Sequence, residues 1–173
     1  ALRALAEAHQ HGMIHRDIKP ANIMLGSDAF GQEQVKVLDF GIAKVRAPEH
    51  RHEESVETQE GIVLGTPKYM APEQARAAEV DHRADLYALG AVAYQMLSGT
   101  PPFDRNSAVE TLLAHCSEPV PDFDEALNLP GALKMAIYRA LEKDPAARFA
   151  SAEAFSMALL SAFPDVTFPS STF

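Results

Sequence analysis

Between Asp81 and Ser98 the chain carries a helical pattern that is apolar nearly all the way round. Leu86, Leu89, Gly90, Ala93 and Leu97 recur at helical spacing, and Tyr87, Ala91 and Val92 fill the other sides. A helix with one apolar stripe lies on a surface, whereas one without a polar face has to be enclosed. Asp81 caps its start, and Gly99-Thr100-Pro101-Pro102 stops it. Any fold open to this sequence therefore buries that helix.

Four further segments are expected to be helical. Leu2, Leu5, Ala6 and His9 share a helical spacing closed by Gly12, in the manner of the tail of a longer helix. His9 and His11 read as solvated polar positions at its end. Ser107 and Glu110 form a capping-box signal for a helix through His115. Leu133, Ala136, Ile137, Ala140 and Leu141 mark the next, and Ser151 with Phe155, Ala158, Leu159 and Ala162 marks the last. With 173 residues, 47% of them hydrophobic, the chain is large enough for one globular domain with a real core. The residues after Phe163 form a Ser/Thr/Pro-rich tail or linker stub, and no internal repeat is present.

Charge narrows the partners. A formal charge of −9 and a pI of about 5.2 argue against nucleic acid, though not against a nucleotide whose phosphates are met locally by a metal and a few bases. The single cysteine, Cys116, rules out an internal disulfide framework and reads as an inert packing thiol in a reducing compartment. The longest apolar run, Tyr87 to Leu97, falls short of the roughly 20 residues that a spanning helix needs. No membrane segment or signal peptide is visible in this chain, and a cytoplasmic location is expected.

The chemistry concentrates near the start. His15-Arg16-Asp17-Ile18-Lys19-Pro20-Ala21-Asn22 packs an acid, two bases and an amide into eight residues, stiffened by Pro20. Met13-Ile14 reads as a strand-like entry to this loop and Ile23-Met24-Leu25 as a buried strand leaving it. Turn residues follow from Gly26 to Gln34, and Val35-Lys36-Val37-Leu38 returns as the second arm of a hairpin. Asn22 thus stands where one strand begins and Asp39 where the other ends, so two ligands distant in sequence reach one metal. A base for a hydroxyl proton, an amide oxygen and a second carboxylate for magnesium are the parts of a phosphoryl-transfer site.

These residues, with Asp39-Phe40-Gly41, match the catalytic-loop and Asp-Phe-Gly signatures of protein kinases. Gly65-Thr66-Pro67-Lys68-Tyr69-Met70-Ala71-Pro72-Glu73 resembles the segment that closes a kinase activation loop. The chain from about Ala1 to Phe163 is similar to the large C-terminal lobe of such an enzyme. The fold expected is mainly α (α+β), a helical lobe with a small β-hairpin that carries the catalytic and metal-binding loops.

The resemblance implies roles. Asp17 would accept the substrate hydroxyl proton, and Lys19 would offset charge at the γ-phosphate of ATP. Asn22 would bind one Mg2+, and Asp39 would bridge Mg2+ to the phosphates. His15 and Phe40 would stack into the hydrophobic column joining the loop to the buried helix. Asp85 would accept hydrogen bonds from the loop backbone, and Glu73 and Arg148 would form a buried pair. Lys19 with Thr66 resembles serine/threonine kinases, so the expected partners are protein substrates with Ser/Thr acceptors. Ala21 stands where kinases favouring basic substrates often carry glutamate. Met70-Ala-Pro-Glu-Gln-Ala75 resembles bacterial receptor-type enzymes.

Arg16 before the base implies switching by activation-loop phosphorylation, with Thr58 the first choice of phosphosite and Ser55 the second. The phosphate would pair with Arg16 and Lys44 and order the loop, through self-association for autophosphorylation. From Ile42 to Leu64 the pattern disappears and a mobile loop is expected; His50 and His52 read as part of it.

No Gly-x-Gly-x-x-Gly stretch occurs in the chain, and no strand lysine or helix glutamate of the nucleotide-covering lobe is found. The expectation is a C-terminal lobe without its N-terminal partner, inactive by itself, with an exposed apolar roof. The alternative is a truncated, non-catalytic kinase-like binding module; intact Asp17, Lys19, Asn22 and Asp39 favour the enzyme.

Overall fold

The computed structural model describes residues 1–27, 31, 33–40, 56–58, 61–63 and 66–165, without the side chains of 56–58 and 61–63. The elements in chain order are α1 (Leu2–Gln10), β1 (Ile23–Ser27), β2 (Glu33–Val37), β3 (Val56–Thr58), β4 (Gly61–Val63), α2 (Pro72–Ala75), α3 (Arg83–Ser98), α4 (Ala108–Ser117), α5 (Gly131–Ala140) and α6 (Ala152–Ser161). The fold is mainly helical with small antiparallel strand pairs at its edge.

Helix α3 lies at the centre. Ala84 to Val92 are buried without a break, as a helix lacking a polar face requires. The Asp81 carboxylate accepts the Arg83 N–H at 2.8 Å, and Gly99, at φ 84°, ends the helix in a left-handed turn. Helix α5 packs on α3 at Gly90, where an added Cβ would sit 2.9 Å from the Ala140 Cβ. Behind it α6 packs on α5 and α1 on α6. Leu5, Ile18, Tyr87, Ile137, Leu141 and Phe155 are among the largest side chains of the core and are buried fully or almost so.

Helix starts follow their local chemistry. The Ser107 Oγ accepts the Glu110 N–H at 3.1 Å, and the Ser151 Oγ accepts the Ala154 N–H at 3.2 Å, each meeting a first-turn donor that has no partner inside its helix. The α4 C-terminal region closes over a second aromatic layer. His115 is buried there between Tyr87 and Phe103, its Nδ1 2.8 Å from the Tyr87 hydroxyl. Lys143 lies over the Phe103 ring at 4.3 Å.

Three local expectations change. Met13-Ile14 is irregular, because its backbone caps α1, with the Met13 N–H on the Ala8 carbonyl at 2.9 Å. Strand β1 pairs with β2 from Ile23↔Val37 to Ser27↔Glu33, yet Met24 is 51% exposed and Leu25 77%. Ile23 and Val37 pack against the core, but no described element covers Met24 and Leu25, and alternation alone cannot bury them. Within the stretch expected to be a loop, β3 and β4 pair in antiparallel register, Val56↔Val63 to Thr58↔Gly61.

Candidate active site

The loop 13–22 is held from three sides. From below, Asp85 on α3 turns its carboxylate into the backbone: Oδ2 accepts the His15 N–H and Oδ1 the Arg16 N–H, both at 2.8 Å. His9 Nε2 lies 2.9 Å from the same Oδ2, which makes it part of the support. The solvated reading of His9 is thus overturned: α1 packs its His9 edge toward the base of the loop. Its ring also lies 5.3 Å from that of His82. Helical spacing could have placed His9 on the buried face beside Leu5; its polarity argued the other way.

From the hairpin side, His15 is the tie. The Asp17 N–H donates to its Nδ1 at 3.2 Å, which leaves Nε2–H to donate to the Leu38 carbonyl at 2.8 Å. The buried His15 ring therefore joins the residue before Asp39 to the backbone of Asp17. Phe40 sits on it with centroids 4.8 Å apart.

At the front, the turn Pro20–Asn22 leads into β1. Asn22 is buried and donates Nδ2 to the Asp17 carbonyl at 2.8 Å. The Leu38 N–H donates to the Asn22 carbonyl at 2.9 Å, which extends the β1–β2 ladder and brings Asp39 to the same end of the hairpin as Asn22. Lys19 Nζ stands 3.5 Å from Asp17 Oδ2, both side chains largely shielded from solvent. Asp17, Lys19, Asn22 and Asp39 are thereby collected at one end of the ribbon.

Two residues here adopt left-handed backbone, Arg16 at φ 65° and Asp39 at φ 53°. Such conformations cost on the order of 1–3 kcal/mol for non-glycine residues, less for Asp, and persist where surrounding bonds over-determine them. For Arg16 those bonds are its N–H on Asp85 Oδ1 and its carbonyl on Gln74 Nε2.

The donor set suits a hard divalent cation. With its amide nitrogen committed to Asp17, Asn22 has its amide oxygen left as the ligating atom, and Asp39 offers an exposed carboxylate. Among the described residues there is no group of three or more His, Cys, Asp or Glu able to hold a metal alone.

The segment after β4 forms the outer wall. Thr66, Tyr69 and Gln74 line a small pocket together with Arg16 and Asp17. The Tyr69 hydroxyl donates to Gln95 Oε1 at 2.6 Å, fixing the wall to α3. Glu73, in the first turn of the short α2, meets Arg148 in a buried two-pronged pair, Nη1–Oε1 and Nη2–Oε2 each 2.7 Å. Arg148 also donates to the carbonyls of Glu142, Lys143 and Arg83, so its cation is fully engaged. Its guanidinium stacks 4.8 Å from the centre of the Tyr87 ring.

Gln74, which motif spacing did not single out, bridges the two halves. Lys44 and Ser55 lie outside the described residues. Thr58 is described only as β3 backbone, opposite Gly61. No helix among the described residues is long and apolar enough to cross a membrane.

Comparison with known proteins adds independent weight. The protein kinase domain family model matches residues 1–160. The chain is 45% identical over 161 residues to the serine/threonine-protein kinase pkn3 of Myxococcus xanthus, covering 91% of this chain and 29% of that protein. It is 47% identical to Pkn1 of the same organism over 157 residues, covering 90% of this chain and 22% of the relative. PknB of Mycolicibacterium smegmatis is 44% identical over 153 residues, with 88% and 23% covered. The chain therefore spans less than a third of the length of these relatives. A solved double mutant of the PknI kinase domain of Mycobacterium tuberculosis superimposes with a TM-score of 0.63 at 30% identity, over 93% of this chain and 50% of that one.

Proposed function

Because the chain belongs to the protein kinase domain family, we propose that it is the large lobe of a serine/threonine protein kinase, its ATP-covering lobe coming from residues outside this chain. The match to only half of a solved kinase domain supports that placement. The observation that carries the catalytic reading is the convergence of Asp17, Lys19, Asn22 and Asp39 at one end of the hairpin.

In this reading Asp17 accepts the proton of a Ser or Thr hydroxyl and orients it for in-line attack on the γ-phosphate of ATP. Lys19, 3.5 Å from Asp17, stands by to offset charge on the transferred group and to restrain the carboxylate. Asn22 and Asp39 would hold Mg2+, which when bound neutralises the phosphate oxygens. Thr66, on the wall of the pocket that Asp17 lines, meets the acceptor side. Protein substrates with Ser/Thr acceptors are the partners. Arg16, exposed beside the base, would receive a phosphorylated loop residue, Thr58 before Ser55, through self-association of two copies.

The test uses the coding frame extended upstream. A glycine-rich loop and a strand lysine should appear there, and the resulting protein should phosphorylate Ser/Thr peptides in a Mg2+-dependent way. Asp17→Asn should reduce kcat by about 100-fold or more. A variant that keeps wild-type kcat removes Asp17 as the base; an upstream frame without the lysine favours the non-catalytic binding module.

A further inference from the structure

Gln74 occupies an unusual place. It lies on α2, the element that follows the outer wall, yet its side chain reaches back 58 residues to the loop 13–22. Its Nε2 donates to the Arg16 carbonyl at 2.9 Å, while Oε1 accepts the Ala71 N–H at 3.2 Å. One amide thus spans the catalytic loop and the N-terminus of α2, where the acceptor-side wall ends.

What it grips matters. Arg16 is held at φ 65°, and its N–H is fixed by Asp85 Oδ1 at 2.8 Å. The carbonyl on the other side of that residue belongs to the peptide unit leading directly into Asp17. Asp85 fixes the entry to the strained residue, and Gln74 fixes its exit. Among the other restraints on Asp17, its N–H on His15 Nδ1 and its carbonyl on Asn22 come from the hairpin side, and its carboxylate lies 3.5 Å from Lys19. Gln74 supplies a restraint from the acceptor side, and it lines the pocket that Asp17 and Thr66 share.

We infer that Gln74 is a positioning residue for phosphoryl transfer, setting the Arg16–Asp17 peptide plane and coupling the aim of Asp17 to the acceptor-side wall. This rests on the reading of Asp17 as the base. Geometry at the reacting centre is steep in its effect: a displacement of about 1 Å can cost about 100-fold. An amide is required because the bridge needs a donor and an acceptor on one planar group.

Gln74→Glu is the sharpest probe. It keeps the size of the side chain and an oxygen for the Ala71 N–H, but sets a second carboxylate oxygen against the Arg16 carbonyl. Gln74→Leu removes both bonds without adding charge and serves if the first variant folds poorly. Both are made in the upstream-extended protein, with active sites counted by titration with a tight-binding inhibitor of the ATP site. The expected result for each is a fall in kcat per active site of about tenfold or more, with the KM for ATP within about twofold.

Wild-type kcat per active site in both variants, alongside an inactive Asp17→Asn control, overturns this inference alone. So does a loss of activity accounted for by fewer active sites or by a raised KM for ATP, since that is the signature of a general structural role. No transfer by the unsubstituted protein overturns the reading of Asp17, and this inference with it.

Discussion

Asp85 Oδ2 and the backbone N–H of His15 lie 2.8 Å apart although 70 residues separate them in the chain. A carboxylate on the most enclosed helix thus sets the backbone of the loop that carries the chemistry. Its other oxygen holds the Arg16 N–H, and His9 completes the set. The loop is aimed from the core outward.

Removing that anchor should be costly. Asp85→Asn keeps the shape but replaces one acceptor with a donor facing backbone N–H groups, leaving a buried N–H without a partner. We expect a loss of about 2–4 kcal/mol, from the weight of a charged acceptor and the penalty of an unmet buried donor. Urea unfolding checks it: a midpoint indistinguishable from the wild type would show that Asp85 does not bear the loop.

The Glu73–Arg148 pair makes a different prediction. Arg148→Met strands a buried carboxylate and should cost about 3–5 kcal/mol, whereas Glu73→Leu with Arg148→Met should recover part of the loss. A double-mutant cycle by thermal unfolding measures the coupling. Additive single losses would mean that the two groups act independently despite their 2.7 Å contacts.

Gly90→Ala pits two effects against each other. Alanine favours a helix over glycine by about 1 kcal/mol. The new Cβ, however, meets the Ala140 Cβ at 2.9 Å, an atom fixed to the α5 backbone that cannot rotate away. Overpacking of this kind costs about 1–3 kcal/mol, so the net should be a loss of up to about 2 kcal/mol. Adding Ala140→Gly should restore stability; a stabilised Gly90→Ala protein would show that the helices part without penalty.

Acid should act through His115. Burial, with the Lys143 cation adding to it, holds the imidazole down to about 4, while the Lys68 backbone opposes the shift weakly. Its value in the unfolded chain is near 6.5. The folded state therefore binds fewer protons, and stability is full above about pH 6.5 and lost as pH falls toward 4, on the order of 3 kcal/mol at most. Lys143, held at about 8 mainly by burial, stays charged in both states over that range and contributes no slope there. His115→Asn should flatten the fall in Tm between pH 6.5 and 4; an unchanged slope would assign it to the carboxylates.

The helices were legible because their signals are local. The all-round apolar run of α3, the caps Ser107 and Ser151, and the spacing along α5 each specify an element without reference to the rest of the chain. Where local pattern alone had to place a residue against a distant neighbour it failed or was silent, whereas the family resemblance implied the contacts of Asp85 with the loop, of Glu73 with Arg148 and of His15 with Phe40. Polarity set His9 in solvent, yet α1 carries it to Asp85. Apolar character buried Met24 and Leu25 on paper, though no described layer covers them. Gln74 had no signal of its own, since its value lies in two bonds to residues that only folding brings near.

By itself, then, the sequence determined the helical class, the order of the elements and the residue types at the chemical centre, because propensity, capping and hydrophobic periodicity act over a few residues. Only the tertiary structure decided the bonds that neither pattern nor resemblance implied, His9 to Asp85 and Gln74 across to Arg16, and it fixed the distances of those that were implied, Asp85 beneath His15 and Asp39 beside Asn22. Those meetings depend on how α3 is enclosed and how the hairpin registers. A hydrogen bond of 2.8 Å between residues 70 apart has no periodicity from which it could be read.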